Sequence, residues 1–241
     1  MESSLYVSMS AQLALERRLT TIADNVANAN TVGFRATKLT FGEMVSSLGA
    51  DDVSYVSRGE DFLSTISGGL RQTGNAFDFA INGDAWFQVE TPTGQILTRD
   101  GRFSMSAEGE LVTLAGHPVL DVGGAPIQLN PAAGAPEVGK DGGIYQDGRR
   151  AGQLGLFTAD FSQGFQRVGS LGVLSAIDPE PVVDRTDVGV TQGYLEDSNV
   201  NPVSEMTRLI MVSRAFENTS IMMRDSEASL KEAIKVLGSG R

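Results

Sequence analysis

The sequence predicts an α+β protein, with N- and C-terminal α-helices pairing as a coiled-coil layer and a central antiparallel all-β domain between them. Two observations carry that prediction. At both ends of the 241-residue chain, apolar residues recur at alternating spacings of three and four, the seam of a helix meant to pack on another helix. From about Phe77 the period falls to two, and the alternating segments are separated by turn-forming residues. The 28 glycines support the second observation, since they exceed an average share of about 7% and cluster in the middle of the chain.

The N-terminal run reads as helix from about Leu5 to Ala29. Leu15, Leu19, Ile22, Val26 and Ala29 form one stripe, and Leu5, Met9 and Leu13 are expected to continue it. Residues 35–76 are polar, serine-rich and weakly periodic, and read as an extended linker or hairpin region. Residues 77–190 then alternate in short stretches such as "FDFAING", "AWFQVE", "QILTRD" and "ELVTL". They are joined by "NGD", "TPTG", "RDG" and "AEG", the pattern of an antiparallel sandwich or barrel. The last segment, 191–241, holds the second helix. Its stripe runs through Leu209, Val212, Phe216, Thr219, Met223, Ser226, Leu230, Ala233 and Leu237, and Asn201 with Pro202 makes an N-cap and first helical position. Such narrow-seamed helices derive their stability from packing. Spacing alone leaves open whether they lie on the β domain, pair with each other or join neighbouring molecules.

Composition excludes several functions. A net charge of −11 and a pI near 4.6 repel phosphate, so no nucleic-acid partner is expected. The chain has no cysteine and one histidine, His117, which leaves little for a zinc site or a nucleophilic triad. "GAPEVGKD", residues 134–141, approaches a phosphate loop. It fails at Asp141, where magnesium binding needs Ser or Thr, and no helix pattern follows. The carboxylate pairs Asp51 with Asp52 and Glu180 with Asp184 lie in apparent loops without aromatic platforms and read as solvated charge. Trp86 and Phe87 alternate with Val89 and read as core. No catalytic residue, cofactor or metal is therefore expected. The N-terminus has no basic n-region, unbroken apolar stretch or small-residue cleavage site, and no run of apolar residues is long enough to insert in a membrane.

Two signatures go further. "LTTIADNVANANTVGFRA" resembles the N-terminal signature of the flagellar rod and hook protein family, carried here by Asn25, Asn28, Asn30, Thr31, Gly33 and Phe34. Asp24 stands where many members have another asparagine. "GYLEDSNVNPVSEMTRLIMVSRAFENT" resembles the family's C-terminal signature, and residues 73–120 are similar to its β domain. Within the family the likeness is greatest to proximal-rod members. The resemblance implies a structural, non-enzymatic subunit of the bacterial flagellar basal-body rod. Such a subunit is exported without a cleaved signal peptide by the flagellar type III export apparatus. It polymerises with other rod proteins into a periplasm-spanning helical tube that transmits motor torque.

Residues 1–34 and 191–241 would then form the rod core. Its assembly positions are Leu15, Leu19, Ile22, Asn25, Val26, Asn28, Asn30, Thr31, Gly33, Phe34, Leu209, Val212, Phe216, Met223, Leu230 and Leu237. In this reading the asparagine amides, which both donate and accept, tie neighbouring backbone at the turn out of the helix, and Gly33 adopts positive φ there. Gly33→Val is expected to block assembly while sparing the β domain, and Leu230→Asp to block it without lowering the melting temperature. The alternatives are a secreted β-sandwich hydrolase or binding module with helical dimerisation ends, or another rod or hook member such as the distal-rod protein.

Overall fold

The structure is a computed structural model that describes residues 2–46, 53–57, 59–183 and 185–238. Asp51, Asp52 and Asp184, and the side chains of Leu5, Leu230 and Leu237, lie outside the described residues. The chain forms two compact units. One comprises residues 1–27, 37–61 and 201–241, and the other Asn28–Ala36 and Phe62–Val200.

The first unit is built on two helices that pack together, α1 (Glu2–Ala27) and α2 (Pro202–Gly238). On α1, Ile22 is buried and Leu15, Leu19 and Val26 are half-buried. On α2, Val212 is buried and Leu209, Phe216 and Met223 are half-buried. Gln12 Nε2 donates to Ser220 Oγ at 3.3 Å across the pair. Met9 and Leu13 do not continue the α1 stripe and are exposed. At about 100° per residue, Leu13 lies about 200° from Leu15, on the opposite side of the helix.

The start of α2 follows its cap chemistry. Asn201 Oδ1 accepts the Ser204 N–H at 3.1 Å, and the Asn201 carbonyl takes the Glu205 N–H at 3.0 Å, with Pro202 at the first helical position. The weakly periodic linker contains short strands. Thr37–Thr40 pairs with Glu60–Leu63, and Glu43–Ser46 pairs antiparallel with Val53–Val56. Four-residue strands are too short for alternation to stand out from the sequence. Arg17 ties this region to α1 through Asp61, at 2.7 Å, and through the Gly59 carbonyl at 3.2 Å.

The second unit centres on a six-stranded sheet. Its order is Phe165–Val168, Gly172–Ser175, Gly94–Thr98, Trp86–Thr91, Leu156–Thr158, Glu180–Pro181, with antiparallel pairings. Alternation along Trp86–Thr91 sends neighbouring residues to opposite faces. Phe87 and Val89 join Phe79, Ile96, Phe103, Leu111, Val119 and Leu154 in the main core. Trp86 joins Leu63, Leu97, Phe157 and Val173 in a second cluster. Late segments return to the start of the unit, where Gly189–Gln192 pairs with Phe79–Asn82 and Tyr194–Glu196 with Leu70–Gln72. Residues 134–141 lead into a β-turn. The Gly142 N–H donates to the Gly139 carbonyl at 2.9 Å, and strand Gly143–Gln146 follows where a phosphate loop would need a helix.

Candidate functional site

The asparagine-rich segment divides its work. Asn25, the last buried polar residue of α1, holds Thr37 from both sides. Its Nδ2 donates to the Thr37 carbonyl at 2.9 Å and its Oδ1 accepts the Thr37 N–H at 3.0 Å. Only an amide satisfies a donor and an acceptor of one residue in this way. Asn25→Ala leaves both Thr37 groups without this partner. At about 0.5–1.5 kcal/mol net for each hydrogen bond lost, the helical unit should lose stability measurably in urea titration. Asn25→Asp, which keeps only the acceptor, should fall between.

The expected helix to Ala29 ends at Ala27 because Asn28 bonds locally. Its carbonyl accepts the Thr31 N–H and its Oδ1 the Thr31 hydroxyl, each at 3.1 Å. Asn30 is exposed, and Phe34 is buried.

From Gly33 onward the segment is fastened to residues far along the chain. The Gly33 N–H donates to the Glu196 carbonyl at 2.7 Å, and the Asn199 N–H donates to the Phe34 carbonyl at 3.2 Å. Asn199 Oδ1 accepts the Ala36 N–H at 2.7 Å, while its Nδ2 donates to the Ile66 carbonyl at 2.7 Å. Arg167 lies over the Phe34 ring, 4.3 Å from its centroid, and donates to the Arg35 carbonyl. Gly33 has φ +69°, and a Cβ there would run into the backbone of Arg99 and Asp100. That seat corrects the expectation that Gly33→Val spares the β domain, because Gly33 packs directly on the strand end of that domain.

At the centre of this junction Glu196 bridges two arginines. Its Oε1 lies 2.8 Å from Arg35 Nη2 and its Oε2 lies 3.1 Å from Arg99 Nη1, and all three side chains are at most 2% exposed. Oε1 also accepts the Gly68 N–H at 2.9 Å. Arg35 donates further to the carbonyls of Thr65 and Ile66, and Arg99 to those of Ile81 and Gly83. The Trp86 ring lies 5.8 Å from the Arg35 guanidinium carbon and 5.4 Å from that of Arg99. Burial pushes Arg99 down to about 10, opposed by Glu196 and reinforced by the nearby Arg35 charge. Burial lowers Arg35 as well, opposed by Glu196 and Asp84.

The arrangement binds three distant stretches of chain into one node. Sequence reasoning placed Gly33, Phe34, Glu196 and Asn199 within the two signatures. It missed Arg35, Arg99 and Arg167 as parts of the same site. The available signal was Arg99 itself, an arginine ending a strand whose preceding residues, Ile96, Leu97 and Thr98, are all of core-compatible type.

A flagellar basal-body rod protein FlgF of Mesorhizobium japonicum is 59% identical to this chain over 239 residues, covering 99% of each. The chain belongs to the flagellar basal-body rod protein family. Two further FlgF relatives agree. That of Rhizobium meliloti is 58% identical over all of both chains, and that of Caulobacter vibrioides is 39% identical with 99% of each covered. Three family models divide the sequence among them. Residues 5–35 match the flagella basal body rod protein model, residues 80–146 the flagellar hook protein FlgE/F/G D1 domain, and residues 191–236 the flagellar basal body rod FlgEFG protein C-terminal model. The node therefore joins residues from the N-terminal match, the D1 match and the C-terminal match of a structural rod protein. Among the described residues no helix is long and apolar enough to cross a membrane.

Proposed function

We propose that this rod protein serves in the proximal rod, polymerising through α1 and α2 with other rod proteins into a tube that crosses the periplasm and transmits motor torque. Residues 1–34 and 191–241 supply the coiled-coil layer of the rod core, and residues 77–190 form the β domain. Delivery is through the flagellar type III export apparatus. The likeness to FlgF proteins supports the proximal position and sets aside the hydrolase and distal-rod alternatives.

The observation that carries the assembly reading is a set of large apolar side chains that lie off the α1–α2 seam and are exposed. On α2, Val203, Met206, Ile210, Met211, Ile221 and Met222 are exposed, and on α1 so are Tyr6, Met9 and Leu13. Large apolar side chains left exposed in such number on two packed helices mark surface that an interaction can cover. In a tube built from repeated heterologous contacts it is the surface that neighbouring helices cover. The sequence-derived positions Leu15, Leu19, Ile22, Val26, Leu209, Val212, Phe216 and Met223 then hold the pair together, and the exposed set joins copies.

The test uses Met206→Asp and Ile210→Asp. Both side chains are more than half exposed, so each change should alter melting of the purified chain by no more than about 2 °C. In the assembled tube the same aspartate is buried without a partner and should exclude the subunit. Normal amounts of either variant in isolated basal bodies, with normal motility, would overturn the reading.

A further inference from the structure

We infer that Glu196 is a shared counter-ion that makes residues 33–36 and 196–199 a single cooperative latch on the β domain, so that the two segments are held together and released together. This inference rests on the node's geometry and does not depend on the assembly reading. Residues 28–36 follow α1 in the chain and residues 196–200 precede α2, so the latch fastens the two stretches that adjoin the helices in sequence.

Three features carry it. First, the charges do not balance. Two buried guanidiniums face one buried carboxylate, each taking one of its oxygens, and the Asp84 charge that also acts on both is exposed. The Nε of both Arg35 and Arg99 has no acceptor among the described residues, and the Trp86 face supplies only a quadrupole. Removing the carboxylate leaves two buried like charges, whereas removing one arginine leaves a neutral pair. Second, the backbone bonds around the ion cluster run reciprocally between the two segments: Gly33 donates to Glu196, and Asn199 donates to Phe34. Third, the Glu196 carboxylate holds the Gly68 N–H as well, which brings a third stretch into the same event.

The consequence is a reversal of sign that packing alone would not produce. Glu196→Gln in the full chain should lower melting by about 10 °C. Arg99→Met and Arg35→Met should each cost less. Adding Arg99→Met or Arg35→Met to Glu196→Gln should raise melting above that of Glu196→Gln alone, because the second change removes a stranded cation.

Hydrogen exchange should show the amides of Gly33, Gly68 and Asn199 losing protection together in Glu196→Gln. Trp86 is the only tryptophan, so its emission reports the opening of the node directly. If Glu196→Gln does not fold, recovery of a folded protein by the second substitution supports the latch. Losses that add in the double variants, or failure of both doubles to fold, would overturn it. Deprotection confined to one of the two segments would overturn it too.

Discussion

Gly33→Val should lower the melting temperature of the purified protein by about 10 °C and shift Trp86 emission to the red below that transition. Two costs combine. A β-branched residue at φ +69° is strained by about 1–3 kcal/mol. Its Cβ also meets the backbone of Arg99 and Asp100, which cannot step aside as a flexible side chain would, and overpacking of this kind adds about 1–3 kcal/mol. At about 2–4 °C per kcal/mol for a chain of this size, the sum gives the stated shift. Gly74 provides the control. It has φ +72°, but a Cβ there meets nothing within 4 Å, so Gly74→Ala should cost only the backbone component. Equal losses in Gly33→Ala and Gly74→Ala would show that the close approach at Gly33 carries no energy.

Trp86→Ala should be comparably severe and act through the two guanidiniums of the node. The indole is 3% exposed and packs edge-on against Phe161, with ring centroids 5.4 Å apart and planes at 76°. Truncating a buried tryptophan costs about 3–5 kcal/mol in lost transfer energy and cavity formation. Here the cavity would open beneath Arg35 and Arg99, removing the aromatic face from two guanidiniums that already share one carboxylate. We expect melting to fall by about 10 °C. Trp86→Phe keeps an aromatic face and should recover more than half of the loss. Thermal melting followed by far-ultraviolet circular dichroism measures both. A Trp86→Phe variant as unstable as Trp86→Ala would mean that ring size, and not the aromatic face, governs the site.

These two residues and Glu196 lie far apart in the chain, yet the expected effects converge on the same arginines: Gly33 seats on the Arg99 backbone, Trp86 lies against both guanidiniums and Glu196 pairs with both. A charge buried at the node constrains every strand that contributes to it. Arg35 lies among the carbonyls of Thr65 and Ile66 and Arg99 among those of Ile81 and Gly83, so displacing either disturbs backbone well beyond its own neighbours.

Much of the architecture was legible in the sequence because it depends on local periodicity. The three-and-four spacing from Leu15 to Val26 and from Leu209 to Met223 announced two helices with narrow seams, Asn201 and Pro202 marked where α2 begins, and period two marked the β domain. The need for glycine at Gly33 was readable from the turn that follows α1. Extrapolating the α1 stripe through Met9 and Leu13 failed because Leu13 stands only two residues from Leu15, a step that turns to the far side of the helix. The individual strands within 37–63 were covered only by the coarse reading of an extended linker or hairpin region, because four residues carry too little alternation to place them. Only the tertiary structure decided that Trp86 and Phe87 serve opposite faces of one sheet, and that Gly33 seats on Arg99 and Asp100. It alone showed that one glutamate serves two arginines 64 positions apart. Periodicity reports which face of an element is apolar, but an ion pair between distant segments leaves no periodic trace. It exists only once the chain has folded and burial has removed the water that would otherwise separate the charges.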